Sequence, residues 1–248
     1  IEGGFGVQPR WSDGIRRGKM HAYVSQVIEP EEYASMTNEA LFEKIRQGLN
    51  VDEVVADGPF KSKKKAEYLE RVAYICPDCG ISAFESHGNE ITCKKCGKVI
   101  IYNEDKTLTG KGFDFPFRFF HDWYAYQEQF INRLDVLQYT EKPVCQDQVR
   151  LSEVIVYKKK VLLRKQAQLR LNGDRLVFDE GTANALTLRF ADTGVITILG
   201  RNKLNIYYGK TLYQIKSGKR FNALKYMHIF YRHKNITKGD SHAEFLGL

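Results

Sequence analysis

Two Cys-x-x-Cys pairs, separated by thirteen residues, constrain this chain more than any other feature. A zinc ribbon needs this arrangement, because each pair occupies a tight turn and places two thiolates about 2.3 Å from one tetrahedral ion. The glycines directly after the pairs, Gly80 and Gly97, can adopt the left-handed backbone that such turns favour. The sequence therefore predicts a structural Zn²⁺ bound by four residues: Cys76, Cys79, Cys93 and Cys96.

A four-thiolate site leaves the metal no open coordination position, so catalysis at this ion is not expected. Thioredoxin-like redox chemistry is the alternative for a Cys-x-x-Cys motif, but it uses one pair at the start of a helix rather than two matched pairs. A segment of about 30 residues has too small a core to fold alone, and a structural zinc can supply roughly 10–16 kcal/mol. The motif thus predicts a role for the metal in folding.

The composition limits the compartment and the partners. Of the five cysteines, only Cys145 lies outside the two pairs. No stretch of the sequence resembles an export signal. No apolar run reaches the length of about 18 residues that a membrane-spanning helix needs. We therefore expect a cytoplasmic protein, peripheral on the inner face of the cell membrane if it acts there. The formal net charge of +8 suits phosphorylated ligands, anionic lipid or nucleic acid, although solubility alone would account for it equally.

Residues 141–248 have the pattern of an antiparallel β-meander. Short apolar-alternating runs are separated by turn-forming sequences, among them Asn172-Gly173, where both residues tolerate a positive φ. The period then changes, and apolar residues from Phe221 to Tyr231 recur at helical spacing. This order predicts a pleckstrin-homology-like (GRAM-type) barrel that is capped by a C-terminal helix.

The rest of the chain divides into three predicted sections. Residues 1–58 contain a predicted strand at residues 19–30 and a helix that is N-capped by Thr37. One strand and one helix cannot bury a core alone, so we expect this section to be the end of a larger domain. Residues 59–104 are predicted to hold a linker helix and the zinc ribbon, and residues 105–140 an aromatic helix that docks the ribbon. The expected fold class is α+β with several domains.

Four sequence blocks occur in an order that resembles one bacterial family. They are "GGFGVQPRWSDGIRRGKM" (residues 3–20), "EPEEYASMTNEALFEKIRQGL" (residues 29–49), "AEYLERVAYICPDCG" (residues 66–80) and the Trp123-x-x-x-Gln127 pair. The family is the lysophospholipid (1-acyl-sn-glycerol-3-phosphate) acyltransferase-like group whose members carry a C-terminal zinc-ribbon extension. The resemblance covers most of residues 1–140. It implies a peripheral membrane enzyme that moves an acyl chain from a thioester donor to a lysophospholipid.

The family's catalytic H-x-x-x-x-D motif is absent from this chain, and neither a P-loop nor a nucleophile elbow occurs. The resemblance implies that the motif lies upstream of residue 1, in the parent protein. This chain would then be non-catalytic, and residues 1–58 would be the last strand and helix of the acyltransferase domain. The resemblance also implies that basic residues near the end of the acyltransferase domain contact phosphate or lipid headgroups; the alternative is that they are simply solvated. These residues are Arg10, Arg16, Arg17 and Lys19.

Two other functions remain open on the sequence alone. A zinc ribbon on a basic protein can bind nucleic acid, but the ribbon's own loop, "ISAFESHGNE", is not basic. The chain could instead be a structural or protein-interaction module that holds a partner on an edge strand or a helix. Basic stretches such as the lysines at positions 158–160 favour docking on an anionic membrane surface, which is the function expected first.

Overall fold

The computed structural model describes residues 1–54 and 58–239, and within them the chain is a mixed α+β structure. The helices are α1 (Gly4–Val7), α2 (Pro30–Ala34), α3 (Asn38–Leu49), α4 (Phe120–Arg133) and α5 (Leu224–Thr237). Short 3₁₀ turns occur at Leu69–Arg71, Val136–Tyr139 and Phe190–Asp192. The strands form antiparallel sheets of two, four and seven strands.

The strand predicted at residues 19–30 is wrong. In the described part of the chain this segment pairs only through an isolated bridge between Glu2 and His21, and both Val24 and Val27 are exposed. Apolar alternation specifies a strand only where a neighbouring strand completes the hydrogen bonds and a core covers one face. Neither is supplied here by the described residues.

Helix α3 begins and ends where the sequence predicts. The Thr37 hydroxyl accepts a hydrogen bond from Ala40 N at 3.2 Å, and the helix ends at Leu49. Its apolar stripe nevertheless contacts no core, because Phe42 and Leu49 are both exposed. None of the described residues from 21 to 59 is buried, so this segment contributes nothing to the hydrophobic core of the rest of the chain.

The cysteine ribbon, residues 74–110, contains the two-stranded and the four-stranded sheets. Its strands are β1 (Ile75–Cys76), β2 (Gly80–Ile81), β3 (Phe84–His87), β4 (Glu90–Cys93), β5 (Val99–Tyr102) and β6 (Leu108–Gly110). The predicted linker helix before it is wrong, since only Leu69–Arg71 is helical there. A longer helix is interrupted at Tyr68, whose φ of 71° lies in the left-handed region.

Residues 1–18 lie directly on this ribbon. The centroid of the Trp11 ring lies 6.0 Å from that of Tyr102 on β5. Arg17 exchanges two backbone hydrogen bonds of 2.9 and 2.7 Å with Lys61, in the segment that leads into the ribbon. The Trp11 ring is buried, and its centroid lies 5.0 Å from that of Phe120 at the start of α4. The N-terminal segment therefore shares a core with the ribbon and α4.

The seven-stranded sheet curls into a half-barrel. Its strands are β7 (Cys145–Ile155), β8 (Lys159–Leu171), β9 (Arg175–Phe178), β10 (Leu186–Arg189), β11 (Thr193–Leu199), β12 (Lys203–Tyr208) and β13 (Thr211–Lys216). They are ordered β10-β9-β8-β7-β13-β12-β11, so β13 returns to lie beside β7. Helix α5 packs over the sheet and buries Leu224, Ile229 and Phe230. The predicted antiparallel strands and final amphipathic helix are confirmed, but the sheet is neither a simple meander nor a closed barrel, because the consecutive strands β10 and β11 lie at its opposite edges.

The loop at Asn172-Gly173 joins β8 to β9 as predicted, but for a different reason. Neither residue is among those with a positive φ. A Cβ on Gly173 would lie 1.8 Å from the Val136 carbonyl oxygen, so glycine is needed for the close approach of the 3₁₀ turn. Asn172 Nδ2 also donates to the Thr140 carbonyl at 2.9 Å. The loop thus packs against the segment that follows α4.

Candidate metal centre and basic surface

The structure brings the four paired cysteines together. Their Sγ atoms all lie within 4.8 Å of one another, and those of Cys76 and Cys96 are 3.9 Å apart. Four sulfurs placed about 2.3 Å from one tetrahedral ion are about 3.8 Å from each other, so the cluster has the size of a single-metal site. No disulfide forms among the cysteines. The group that could hold a metal ion is therefore the predicted one: Cys76, Cys79, Cys93 and Cys96.

Two tight turns position these thiols. In the first turn, the pairing of β1 with β2 places Cys76 opposite Gly80. In the second, Gly97 N donates to Cys93 O at 2.9 Å, and Cys93 N donates to Lys98 O at 3.0 Å. Gly80 and Gly97 have φ values of 68° and 74°, the left-handed conformation that the sequence predicts after each pair.

The thiols of the cluster do not share one electrostatic environment. Burial raises the pKa of Cys76 to about 12. Burial also raises the pKa of Cys93, but the Ser82 hydroxyl, 3.1 Å from its sulfur, and the N–H groups of Lys95 and Cys96 outweigh this effect and lower the value to about 7. The cluster thus already stabilises one thiolate, and a bound cation would favour the ionised form of the others.

Helix α4 fixes the chain that enters the cluster. Trp123 Nε1 donates to the Ile75 carbonyl at 2.8 Å. The Gln127 side chain accepts from Tyr74 N at 2.9 Å and donates to the Val72 carbonyl at 3.0 Å. The tryptophan and glutamine, four residues apart on one helical face, therefore bind the backbone immediately before Cys76. The sequence predicts a docking helix here, and these hydrogen bonds show how it docks.

The ribbon is also joined to α5 and to the residues before it. The Tyr74 hydroxyl lies 2.7 Å from Nδ1 of His228 on α5. Arg220, just before α5, binds Glu67 with an Nη2–Oε1 distance of 2.6 Å and donates to the Ser86 carbonyl at 2.7 Å. These contacts are partly or fully buried, so they hold the cysteine ribbon and the segment before it against α5 and the residues that lead into α5.

The four basic residues predicted to contact phosphate or lipid do not form one site. Arg16 is only 2% exposed, its Nη2 donates to the Lys65 carbonyl, and its guanidinium lies 4.6 Å from the centre of the Tyr102 ring. It therefore cannot meet a headgroup at the surface, and that prediction is corrected to a structural role for this residue. The remaining three lie at the surface: Arg10, Arg17 and Lys19.

A different basic surface surrounds the turn between β7 and β8. We call residues 155–163 the basic hairpin. Tyr157, at its turn, has a φ of 60° and is fully exposed, and Val156 and Leu162 are more than half exposed. Lys158 N closes the turn with a 2.9 Å bond to the Ile155 carbonyl. Apolar side chains thus project into solvent among three consecutive lysines: Lys158, Lys159 and Lys160.

Further cations lie beside the basic hairpin. The pKa of Lys160 is lowered, first by burial and then by repulsion from Lys203, Lys216 and Arg150. These three belong to β12, β13 and β7, so the positive charge extends across the neighbouring strands of the sheet. The lysine run is visible in the sequence, but the exposed apolar residues within it become evident only when the position of the turn is known.

Three findings bear on the relation of this chain to other proteins. No helix within residues 1–54 and 58–239 is long and apolar enough to cross a membrane. No family model matches the chain, and no curated protein matches it. Among solved structures, the chain is similar to the solution structure of the N-terminal PH domain of human ARAP2, with 10% identity, a TM-score of 0.32, and coverage of 41% of this chain and 90% of that one. A similarity at this level says nothing about ligands or activity.

Proposed function

We propose that this chain is a non-catalytic module that docks on anionic membrane surfaces through the basic hairpin, while a structural Zn²⁺ holds the cysteine ribbon. The observation that carries the proposal is the fully exposed Tyr157 at a turn that three lysines follow directly. A tyrosine suits the membrane interface because its ring is apolar and its hydroxyl remains hydrated. Each Lys or Arg near an anionic surface adds about 1 kcal/mol of attraction.

The charge around Lys160 supports the same proposal. The pKa of Lys160 is lowered mainly by burial and further by repulsion from Lys203, Lys216 and Arg150. An anionic headgroup between these cations would relieve the repulsion, whereas neutral lipid would not. Binding is therefore expected to need negatively charged lipid and to weaken as salt screens the charges.

Zinc is the metal we propose for the cluster. Soft thiolate ligands select zinc or iron–sulfur chemistry over hard cations such as Mg²⁺, and four-sulfur tetrahedral sites are typical of structural zinc. Four ligands complete the coordination sphere, so the ion would supply folding energy rather than a reactive position. The hydrogen bonds from α4 to the backbone before Cys76 support this role, because they stabilise the geometry that the metal requires.

The acyltransferase context is a separate part of the proposal. Its support is the order of the sequence blocks in residues 1–140 together with the exposed apolar stripe of α3, which suits a surface covered by another part of a larger enzyme. In that context this chain would help to hold a glycerophospholipid acyltransferase on the membrane. Incubation of this chain with an acyl thioester and a lysophospholipid should give no product, and measured turnover would contradict the non-catalytic assignment.

Vesicle flotation tests the docking function. We expect the metal-loaded chain to float with vesicles of phosphatidylcholine and phosphatidylserine but not of phosphatidylcholine alone. A hairpin variant (Tyr157→Ser, Lys158→Gln, Lys159→Gln) should lose binding, because it removes the exposed ring and two charges. A matched variant elsewhere on the surface should keep it: Tyr33→Ser, Lys63→Gln, Lys64→Gln. Equal loss in both variants, equal binding to neutral vesicles, or preference for an oligonucleotide would overturn the proposal.

A further inference from the structure

Strand β11 is an edge of the seven-stranded sheet. It pairs with β12 on one side, and no other described strand pairs with its outer side. A bulge lies between Thr193 and Val195, and the pairing is regular from Val195 to Leu199. The opposite edge, β10, has only four residues and carries Arg189. The two edges therefore differ in length and in charge.

At its start, β11 has two features that hinder pairing between molecules: the bulge, and Lys234 Nζ of α5, which donates to the Gly194 carbonyl at 3.0 Å. The regular part of the strand, from Val195 to Leu199, contains neither a bulge nor a charged residue. The whole strand, TGVITIL, contains no charged residue and no proline. Val195 and Leu199 share one face of the strand and are 36% and 45% exposed, and Tyr207, paired with Val195 on β12, is also exposed. Natural edge strands are generally short, charged or covered, so an uncharged edge bordered by apolar side chains is suited to the addition of another strand.

The regular part of the strand, VITIL, has a symmetric pattern about Thr197. In an antiparallel pair with an identical strand centred on this residue, Val195 would lie opposite Leu199 and Ile196 opposite Ile198. Each apolar residue then meets an apolar residue, and no like charges face each other. We propose that β11 pairs with β11 of a second copy of this chain, through a two-fold axis at Thr197.

A second copy fits this edge better than an unrelated peptide. An antiparallel edge-to-edge pair is isologous, so one surface satisfies both partners, and the symmetric pattern provides that self-complementarity. The sheet would continue from one copy into the other, and the exposed Val195 of each copy would pack beside the exposed Leu199 of its partner. A single strand pair has a small interface, so the dimer is expected to be weak and to depend on concentration. This inference does not rest on membrane docking.

Sedimentation equilibrium of the metal-loaded chain over a range of concentrations provides the first test. We expect a monomer–dimer equilibrium that Thr197→Lys shifts at least tenfold towards monomer, since two added charges would meet at the axis. Thr187→Lys makes the same change on the other edge strand, β10, where Thr187 is exposed, and should leave the equilibrium unchanged. A monomer at every concentration, or equal effects of the two variants, would overturn the proposal.

Cross-linking provides a test of register that does not depend on a destabilising charge. In a metal-loaded Cys145→Ser background, Thr197→Cys should give a dimer with a short bismaleimide, because the two introduced thiols would be adjacent. Val195→Cys should not, since its two copies would be about 13 Å apart along the strands. Peptide mapping would confirm the linked residue. Equal cross-linking of both variants, or linkage through the metal-binding cysteines alone, would contradict the proposed pairing.

Discussion

The Tyr74 hydroxyl and His228 Nδ1 form a hydrogen bond of 2.7 Å, which links the cysteine ribbon to the C-terminal helix. Burial raises the pKa of Tyr74 and lowers that of His228 to about 3. The tyrosine therefore keeps its proton and the histidine is neutral, so the hydrogen bond joins two uncharged groups. Tyr74 stands two residues before Cys76, so the metal-binding turn and α5 depend on the same contact.

We expect acid to destabilise the protein through His228. The unfolded histidine has a pKa of 6.5 and the folded one about 3, so the unfolded chain binds an extra proton between these values. The free energy of unfolding is therefore not reduced by this group above about pH 7. Between the two pKa values it falls by about 1.4 kcal/mol for each unit that the pH is lowered. Urea unfolding at about pH 7 and about pH 5 should therefore differ by about 2 kcal/mol from this group.

Two variants isolate that contribution. His228→Gln should lower the free energy of unfolding at neutral pH and remove the His228 part of its pH dependence. His87→Gln changes an exposed histidine of the ribbon and should leave the pH dependence of the free energy of unfolding unchanged. Because loss of metal at low pH would affect both variants alike, an unchanged slope in His228→Gln would show that the buried histidine is not the source.

Gln127 should matter for both stability and metal binding. Gln127→Ala leaves the buried Tyr74 N–H and the Val72 carbonyl without their partner. Each unpaired buried group costs about 1–3 kcal/mol. The loosened chain before Cys76 should also lose metal to a chelator at a lower chelator concentration. Gln148→Ala, at an exposed position, is the control, and equal behaviour of the two variants would contradict the docking role of α4.

The cluster could be predicted from sequence because its geometry is local. Each pair of ligands lies within one turn, and the left-handed glycines that follow, Gly80 and Gly97, mark where each turn ends. The strands of the half-barrel could also be predicted from the sequence, since turn-forming sequences separate them at short intervals. Their order was harder to predict: β10 and β11 follow one another in sequence but lie at opposite edges of the open sheet, and β13 returns to lie beside β7, so pairing of consecutive strands alone does not give it.

Burial of polar residues could not be predicted in this way. The partners of Arg16 are Lys65 and Tyr102, which are 49 and 86 positions away in the sequence, so no local pattern distinguishes it from its exposed neighbour Arg17. The strand predicted at residues 19–30 failed for a related reason. Its apolar residues suggest a core that the described residues do not provide there.

Arg16 is expected to act in folding rather than in lipid binding. Arg16→Gln removes a guanidinium that donates to Lys65 O and stacks on Tyr102, but whose Nε and Nη1 are buried without a hydrogen-bond partner. Because the desolvation penalty of those two nitrogens is lost with it, the cost in the free energy of unfolding should be only about 1–2 kcal/mol. The folded fraction should bind anionic vesicles like the unsubstituted chain. Arg10→Gln, at an exposed position, should change stability by less than about 0.5 kcal/mol. If folded Arg16→Gln lost vesicle binding, the original prediction that Arg16 contacts lipid headgroups would be supported instead.

Removing one ligand should separate the folding role of the proposed zinc from any other role. Cys93→Ser is expected to lower the metal content from one ion per chain to near zero and to loosen the ribbon. The near-ultraviolet signal of Trp123 should decrease, because its ring packs 5.3 Å from Phe84, which pairs with Cys93 across β3 and β4. Cys145→Ser leaves the cluster intact and should retain the metal and the signal. If Cys93→Ser kept its metal and its melting temperature, the cluster would not be what holds the ribbon together.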